Sequence, residues 1–186
     1  LARDAGTAAE RLAYLEGRLL QRGGRHRQAA EKFREVLSQD RSQPEPALRL
    51  AECLAALKEA REAEEGLRKA LDEGQDQSAL WDEWLRICSC DLKKSASEVL
   101  SSLPGAEGKS AYRAACQFLL KELAAGGVVR INCAGGSFHS AAGLSWGADC
   151  FFRGGNMSFY EVEVSGSQDP YLYRTHRWFP ERASPL

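Results

Sequence analysis

One apolar pattern recurs at a spacing of 34 residues along the N-terminal part of this chain. Small residues recur where two helices must approach closely, and larger apolar residues recur where a groove between helices must be filled. The aligned pairs are Gly17 with Ala51, Leu20 with Leu54, Ala29 with Ala63, Phe33 with Leu67, and Val36 with Ala70. A period of this length predicts stacked helix–turn–helix units, because one such unit cannot bury its apolar face alone.

A third, degenerate copy follows, and its turn is predicted to be one residue shorter. Its apolar positions are Trp81, Trp84, Leu85, Cys88, Ala96, Leu100 and Leu103. Apolar periodicity predicts two helices for each unit. These predicted helices are Arg11–Gln21, Arg27–Gln39, Pro46–Leu57, Glu59–Asp72, Leu80–Cys88 and Lys93–Leu103. We expect a further helix, Lys109–Ala125, to cover the end of the stack with its apolar face.

The repeat resembles the tetratricopeptide repeat over about residues 9–104, with Trp81 at the family's usual opening aromatic position. The sequence departs from that pattern at Glu16, where an apolar residue is expected, and at Pro44 and Pro46, which stand late for the terminating proline. The resemblance implies an α-solenoid. Solenoids of this kind present extended concave surfaces, so one hypothesis is that the helical part binds a peptide. The other is that it acts as a spacer or folding platform.

Composition changes near Gly126-Gly127. Residues 126–186 hold 10 of the 16 aromatic residues and 9 of the 17 glycines, whereas residues 1–125 hold 41 of the 51 charged residues. Aromatic runs broken by glycine favour short strands and turns. Strands are predicted at 128–133, 144–152 and 158–164, with a further extended stretch at 171–175. We therefore predict an α+β chain of two domains, 1–125 and 126–186.

Three blocks in the second part suggest its family. They are Arg130-Ile131-Asn132-Cys133-Ala134-Gly135-Gly136, the segment from Trp146-Gly147-Ala148-Asp149 to Gly154-Gly155, and Leu172-Tyr173-Arg174-Thr175-His176-Arg177-Trp178. Their order and spacing resemble the opening of malectin and malectin-like domains over residues 128–180. The resemblance implies a β-sandwich that binds carbohydrate, and the later blocks of that family are missing. We therefore expect an incomplete β-sandwich module.

What the resemblance implies for the site is a glucose-type disaccharide stacked on aromatic rings. Trp178 stands where the family has a sugar-contacting tyrosine, and Tyr173 and Tyr160 are further candidates. Asp149 falls at a position expected to order a loop. The alternative is that the aromatic residues build the sandwich core, as buried aromatics usually do. The residues of this alternative are Trp146, Phe151, Phe152 and Trp178.

The chain is predicted to be a non-catalytic recognition protein that binds an oligosaccharide, with the repeats as a scaffold or protein-binding surface. Two alternatives stay open: a protein–protein scaffold alone, or the sensory appendage of a larger signalling protein or enzyme. A net charge of −1 gives no electrostatic reason to bind nucleic acid. No run of eighteen apolar residues that could span a membrane is present.

Several motifs that often carry chemistry lack their context here. Gly143-Leu144-Ser145-Trp146-Gly147 matches the nucleophile elbow of hydrolases, but strand and turn residues follow it where a helix is required. Cys88-Ser89-Cys90 is one residue short of a zinc or redox pair, and no second pair follows it. We therefore predict no catalytic residue, metal or cofactor. Cys133 and Cys150 could pair in an oxidising compartment, which the sequence leaves open.

Overall fold

The chain divides into two compact units, Leu1–Arg113 and Ala114–Leu186. The computed structural model describes residues 8–106, 108, 110–150, 156–161 and 163–178, without the side chains of Met157, His176, Arg177 and Trp178. We call them the N-terminal unit and the C-terminal unit, and we keep first, second and third unit for the helix pairs of the repeat. The N-terminal unit is helical, and the C-terminal unit combines most of the last helix with short strands.

Paired antiparallel helices form the N-terminal unit, as the repeat predicts. Its helices are α1 (Ala8–Arg22), α2 (His26–Gln39), α3 (Pro44–Ala56), α4 (Ala60–Asp72), α5 (Ser78–Arg86) and α6 (Ala96–Ser101), with a π-helical turn (Ile87–Asp91) after α5. The last helix, α7 (Ala111–Ala124), belongs mostly to the C-terminal unit. The first residues of α2 and α4 are 34 positions apart, and so are those of α3 and α5. The α-solenoid prediction is therefore confirmed for the first two units.

The residues aligned by the repeat form the core between the helices. Ala29, Phe33 and Leu67 are buried, and so are Ala51 and Ala63 at the small positions. In the first unit a glycine lets two helices approach closely: a Cβ at Gly17 would lie 2.8 Å from Cε1 of Phe33. At the same contact the second unit has Ala51 in place of glycine, and Leu67, which is smaller than phenylalanine, makes room for the added methyl group.

The turn inside each pair is also repeated. The amide of Arg25 donates to the carbonyl of Leu20, and the amide of Glu59 donates to that of Leu54, both at 2.9 Å. The preceding residue has a positive φ in both turns, 73° at Gly24 and 67° at Lys58. The turn geometry is therefore kept even where the second unit has no glycine to supply it.

The third unit differs from its prediction. A π-helical turn follows α5, in which the amide of Leu92 donates to the carbonyl of Ile87, and this turn lengthens the connection. The second helix of the unit, α6, consequently begins 36 positions after α4 and not one position early. Val99 is its buried residue, in place of the predicted Leu100. A capping box of Ser95 and Glu98 fixes its start.

Two small sheets, and no β-sandwich, occupy the described part of the C-terminal unit. The strands are β1 (Ile131–Asn132), β2 (Phe138–His139), β3 (Ser145–Ala148), β4 (Asn156–Phe159) and β5 (Thr175–Trp178). The first sheet has the order β1-β3-β2, with β1 parallel and β2 antiparallel to β3, and β4 pairs antiparallel with β5. Within the same unit, Gly147 of β3 lets Phe118 of α7 approach closely.

Most of the predicted strands are shorter in the structure. Residues 128–130 lie outside β1, and the stretch predicted as extended at 171–175 begins as a 3-10 turn, Pro170–Tyr173. Proline favours this turn because its φ is already fixed near the helical value. Phe151, Phe152 and Val162 lie outside the described residues.

Two mid-helix glycines give a matched test of this packing. We expect Gly17→Ala to lower the free energy of unfolding by about 1–3 kcal/mol, because the added methyl overpacks against the buried ring of Phe33. Gly66→Ala in α4 meets no atom within 4 Å and should stabilise by about 0.5–1 kcal/mol through helix propensity. Urea unfolding followed by circular dichroism measures both. Shifts in the same direction would contradict the assigned packing.

Candidate functional site

One repeat position is used differently in each of the three units. The first unit has Glu16 at this position, the second has Leu50 and the third has Trp84, at intervals of 34 residues. The carboxylate of Glu16 lies 2.8 Å from Nζ of Lys32 on the neighbouring helix. Trp84 is fully buried, and its Nε1 donates to Glu64 at 3.1 Å. The position therefore carries an ion pair between helices in the first unit and a buried indole in the third.

The second unit leaves the space at this position open. The counterpart of Lys32 in the second unit is Gly66, and apart from its chain neighbours and the backbone of its own helix no atom lies within 4 Å of the position its Cβ would take. Two adjoining cavities of about 260 and 310 Å³ open here between α2 and α4, with α3 as their floor. We call this space the groove, defined by the residues shared by both cavities: Leu37, Ala47, Leu50, Gly66 and Lys69.

Charged side chains of both signs stand around the apolar floor of the groove. Arg34 of α2 and Glu62 of α4 form an ion pair between the two helices, and both side chains are about half exposed. Arg41 lines one cavity, Glu65 lines the other, and Lys69 lines both. A partner with an apolar centre and charged flanks would match this arrangement.

A second face, on α1 and α3, is polar and internally paired. We call it the polar face, defined by Tyr14, Arg18, Glu45, Arg49 and Glu52. The guanidinium of Arg49 lies 2.8 Å from Glu45 and 2.9 Å from Glu52, while Arg18 donates to the hydroxyl of Tyr14. Burial lowers the pKa of Arg49, but its hydrogen bonds to Glu52 and Glu45 outweigh this and hold it above its usual value. These groups satisfy one another and stabilise the stack.

The predicted sugar-binding residues lie in the C-terminal unit, and their surroundings differ from one residue to the next. Tyr173 closes the 3-10 turn and is 69% exposed, and Tyr160, just after β4, is 53% exposed. The amide of Tyr160 donates to the carbonyl of Arg174 at 2.9 Å, which continues the β4–β5 pairing. The backbone of Trp178 pairs with Asn156, but its side chain lies outside the described residues.

The structure brings together three aromatic rings that sequence reasoning missed. The rings of Phe138 and Tyr171 stack with centroids 5.5 Å apart, and Phe159 lies 6.3 Å from Tyr171. Tyr171 is 37% exposed and Phe159 is 51% exposed. We call these three residues the aromatic cluster. Their positions in three separate elements give no local sequence signal.

The loop-ordering role predicted for Asp149 is confirmed. Its carboxylate accepts a hydrogen bond from the amide of Ala134, which has a φ of 62°. Asn132 is buried, and its side chain donates to the carbonyl of Gly136 at 2.9 Å and accepts from Thr175 at 3.2 Å. These conspicuous polar residues therefore hold the loop after β1 in place.

The described residues contain no cluster of histidine, cysteine or carboxylate side chains that could hold a metal ion. Ser145 opens strand β3, so the nucleophile-elbow spacing has no helix after it. In the described part of the chain, no helix is both long and apolar enough to cross a bilayer.

Comparison with known proteins finds a family match for one part of the chain. The family model of the tetratricopeptide repeat matches residues 20–82, from the second half of α1 into α5. No curated protein and no solved structure matches the chain. The match agrees with the stacked helix pairs and supports tetratricopeptide-like repeats in this region, whereas no comparison supports a malectin-like domain.

The cysteines give a pH-dependent test of this packing. Burial raises the pKa of Cys53 to about 11 and that of Cys88 to about 11, whereas Cys90 and Cys133 are exposed. Only the thiolate reacts with maleimide, and an ordinary thiol has a pKa near 8.5. Between pH 7 and pH 9 we expect the exposed thiols to label increasingly fast, and the thiols of Cys53 and Cys88 to label roughly a hundredfold more slowly.

Peptide mass spectrometry of the labelled chain reads each site, and labelling in urea provides the fully reactive control. Fast labelling of Cys53 in the folded chain would show that α2 and α3 do not pack as described. The variant Cys90→Ser should remove one fast site and leave the others unchanged.

Proposed function

We propose that the helical repeat is a non-catalytic scaffold that binds a protein partner through the groove. Tetratricopeptide-like repeats suggest protein–protein interaction, and this agrees with the scaffold alternative drawn from the sequence. The observation that carries the proposal is the exchange of the Glu16–Lys32 pair of the first unit for Leu50 and Gly66 in the second. That exchange leaves apolar surface accessible between α2 and α4.

The size and lining of the groove favour a peptide segment as its ligand. One of its cavities lies just below, and the other at the lower end of, the roughly 300–1,000 Å³ found for small-molecule pockets. A peptide can place one or two apolar side chains over Leu37 and Leu50, while its flanking charges meet Arg41, Lys69 and Glu65. Amphipathic helices bind apolar grooves in this way. The polar face is the weaker candidate because its charged groups already pair with one another.

A selection of displayed peptides against the full chain tests this proposal. We expect the selected peptides to carry large apolar anchors and to bind with the groove open. The double variant Leu50→Glu, Gly66→Lys rebuilds the ion pair of the first unit in the second and fills the groove. It should weaken binding by more than tenfold, because burial of one large apolar side chain contributes about 1.5–3 kcal/mol.

Gly66→Ala is the matched control, because it adds one methyl group and leaves most of the groove open. It should retain binding within a few-fold while raising helix stability. Circular dichroism establishes that each variant is folded. Equal binding of the selected peptides to the wild-type chain and to the filled double variant would refute the groove as the binding site.

The aromatic cluster favours a second candidate function, carbohydrate binding by the C-terminal unit. Exposed aromatic rings suit the apolar faces of sugars, and Tyr171 and Phe159 present such rings beside Phe138. Tyr173, named by the malectin resemblance, is largely exposed in the same 3-10 turn as Tyr171. On this proposal Tyr171 supplies the central stacking ring, and Tyr173 and Tyr160 supply flanking contacts, as Trp178 would by resemblance.

Titration with maltose, followed by tyrosine fluorescence and by calorimetry, tests this second candidate. A shallow site of this kind should bind with a Kd of about 1 mM. Tyr171→Ala should abolish detectable binding, whereas Tyr171→Phe keeps the ring and should bind within a few-fold of wild type. Absence of binding by the folded wild-type chain, or binding unchanged in Tyr171→Ala, would exclude the cluster as a sugar site.

A further inference from the structure

Helix α1 carries a stripe of exposed leucines. Leu12, Leu15 and Leu19 are 59%, 58% and 65% exposed, and their spacing of three and four residues places them on one face of the helix. We call this set the leucine face. It is distinct from the face that packs on α2, which is formed by the buried Ala13 and Gly17.

The repeat gives this face two internal counterparts. A shift of 34 residues converts Leu12 and Leu19 into Pro46 and Cys53 of α3, and a further 34 converts them into Leu80 and Ile87. All four counterparts are buried. At the middle position the second unit has Arg49, which is partly buried and paired with Glu45 and Glu52, and the third unit has Glu83, which is buried and accepts hydrogen bonds of 2.8 and 2.9 Å from Arg86.

The buried counterparts show what such a face packs against. Cys53 belongs to a buried cluster with Ala29, Ala30 and Phe33 of α2, the second helix of the preceding unit. In the same way, α5 packs on α3 and α4. This face of each first helix is therefore the surface by which a unit stacks on the unit before it. A helix at the end of such an array ordinarily has a polar outer face, and α1 does not.

We propose that the leucine face of α1 is a stacking surface, covered by a further helix–turn–helix unit placed before α1 in the same polypeptide. The second helix of that unit would present small apolar residues to Leu12 and Leu19, as Ala29 and Ala30 do to Cys53. The proposal rests on continuity with the stacking interface between the described units and does not depend on the groove.

A second copy of the chain is a poorer occupant. The matching surface on another copy, around Ala29 and Ala30, is already filled by that copy's own Cys53. Direct pairing of two leucine faces would bury three leucines from each chain, which falls well short of the roughly 800 Å² per partner of a stable interface. A unit in the same polypeptide docks without the loss of translational freedom that a separate chain incurs.

Extension of the array by one unit tests the proposal. Residues 8–41 are one repeat long, so a second copy of them inserted directly before Ala8 keeps the 34-residue register. The inserted Ala29, Ala30 and Phe33 then face the original Leu12 and Leu19. We expect the melting temperature of the helical part to rise by about 5–10 °C, because an added interface stabilises the neighbouring unit.

The control is the same extended chain with Leu12→Glu and Leu19→Glu in the original α1 only. It should lose the rise in melting temperature. In the chain without the insertion, the same two substitutions should change the melting temperature by less than about 2 °C, because both side chains are exposed. An insertion that leaves the melting temperature unchanged, or that raises it equally in the control, would overturn the proposal.

Sedimentation velocity of the chain without the insertion separates the remaining occupant. We expect a monomer at roughly 50 µM, since a leucine face alone is too small for tight self-association. A dimer that Leu19→Glu dissociates would instead assign the face to a second copy and overturn the proposal. Peptide binding at the groove is measured independently, so failure of either idea leaves the other to be judged by its own result.

Discussion

Close packing of Phe33 against Gly17 sets the geometry of the first helix pair. The ring lies where a side chain on residue 17 would have to be, so α1 and α2 approach as closely as their backbones allow. The second pair has a similar arrangement with Ala51 and Leu67: the residue on the first helix is larger than Gly17, and the residue on the second helix is smaller than Phe33. Because the first two pairs have this common shape, their second helices begin 34 residues apart, and the surfaces of one pair recur at matching places on the other.

This regularity lets side-chain substitutions change a surface without moving the backbone. At the position of Glu16, Leu50 and Trp84, the same location between two helices holds an ion pair, an open groove or a buried indole. The groove therefore costs little in the architecture, because Leu50 remains partly buried and the neighbouring Leu67 and Ala63 still fill the core. Its opening depends on the absence of a side chain at Gly66.

The sequence predicts those parts of the fold that depend on apolar periodicity. The first two units follow the pattern because each buried position is filled by a residue of suitable size. The third unit departs from it because hydrogen bonds from Leu92 to Ile87 add a π-helical turn, which leaves no apolar signal. The capping box of Ser95 and Glu98 does mark the true start of α6 and could have been recognised. In the C-terminal unit, the short strands depend on Asn132 and Asp149, whose side chains contact residues that are distant in the sequence. The aromatic cluster was missed for the same reason.

The two apolar surfaces of the helical part differ in how they relate to the repeat. Two positions of the leucine face, Leu12 and Leu19, have counterparts in both later helix pairs, and these are buried where another pair precedes them, so their chemistry is that of an architectural contact. The groove occurs where one unit departs from its neighbour, through Leu50 and Gly66, and its rim carries charges of both signs. A surface that recurs is explained by stacking, whereas a surface confined to one unit needs another explanation. The proposed recognition of a partner supplies one, because specific binding requires a feature that the other units lack.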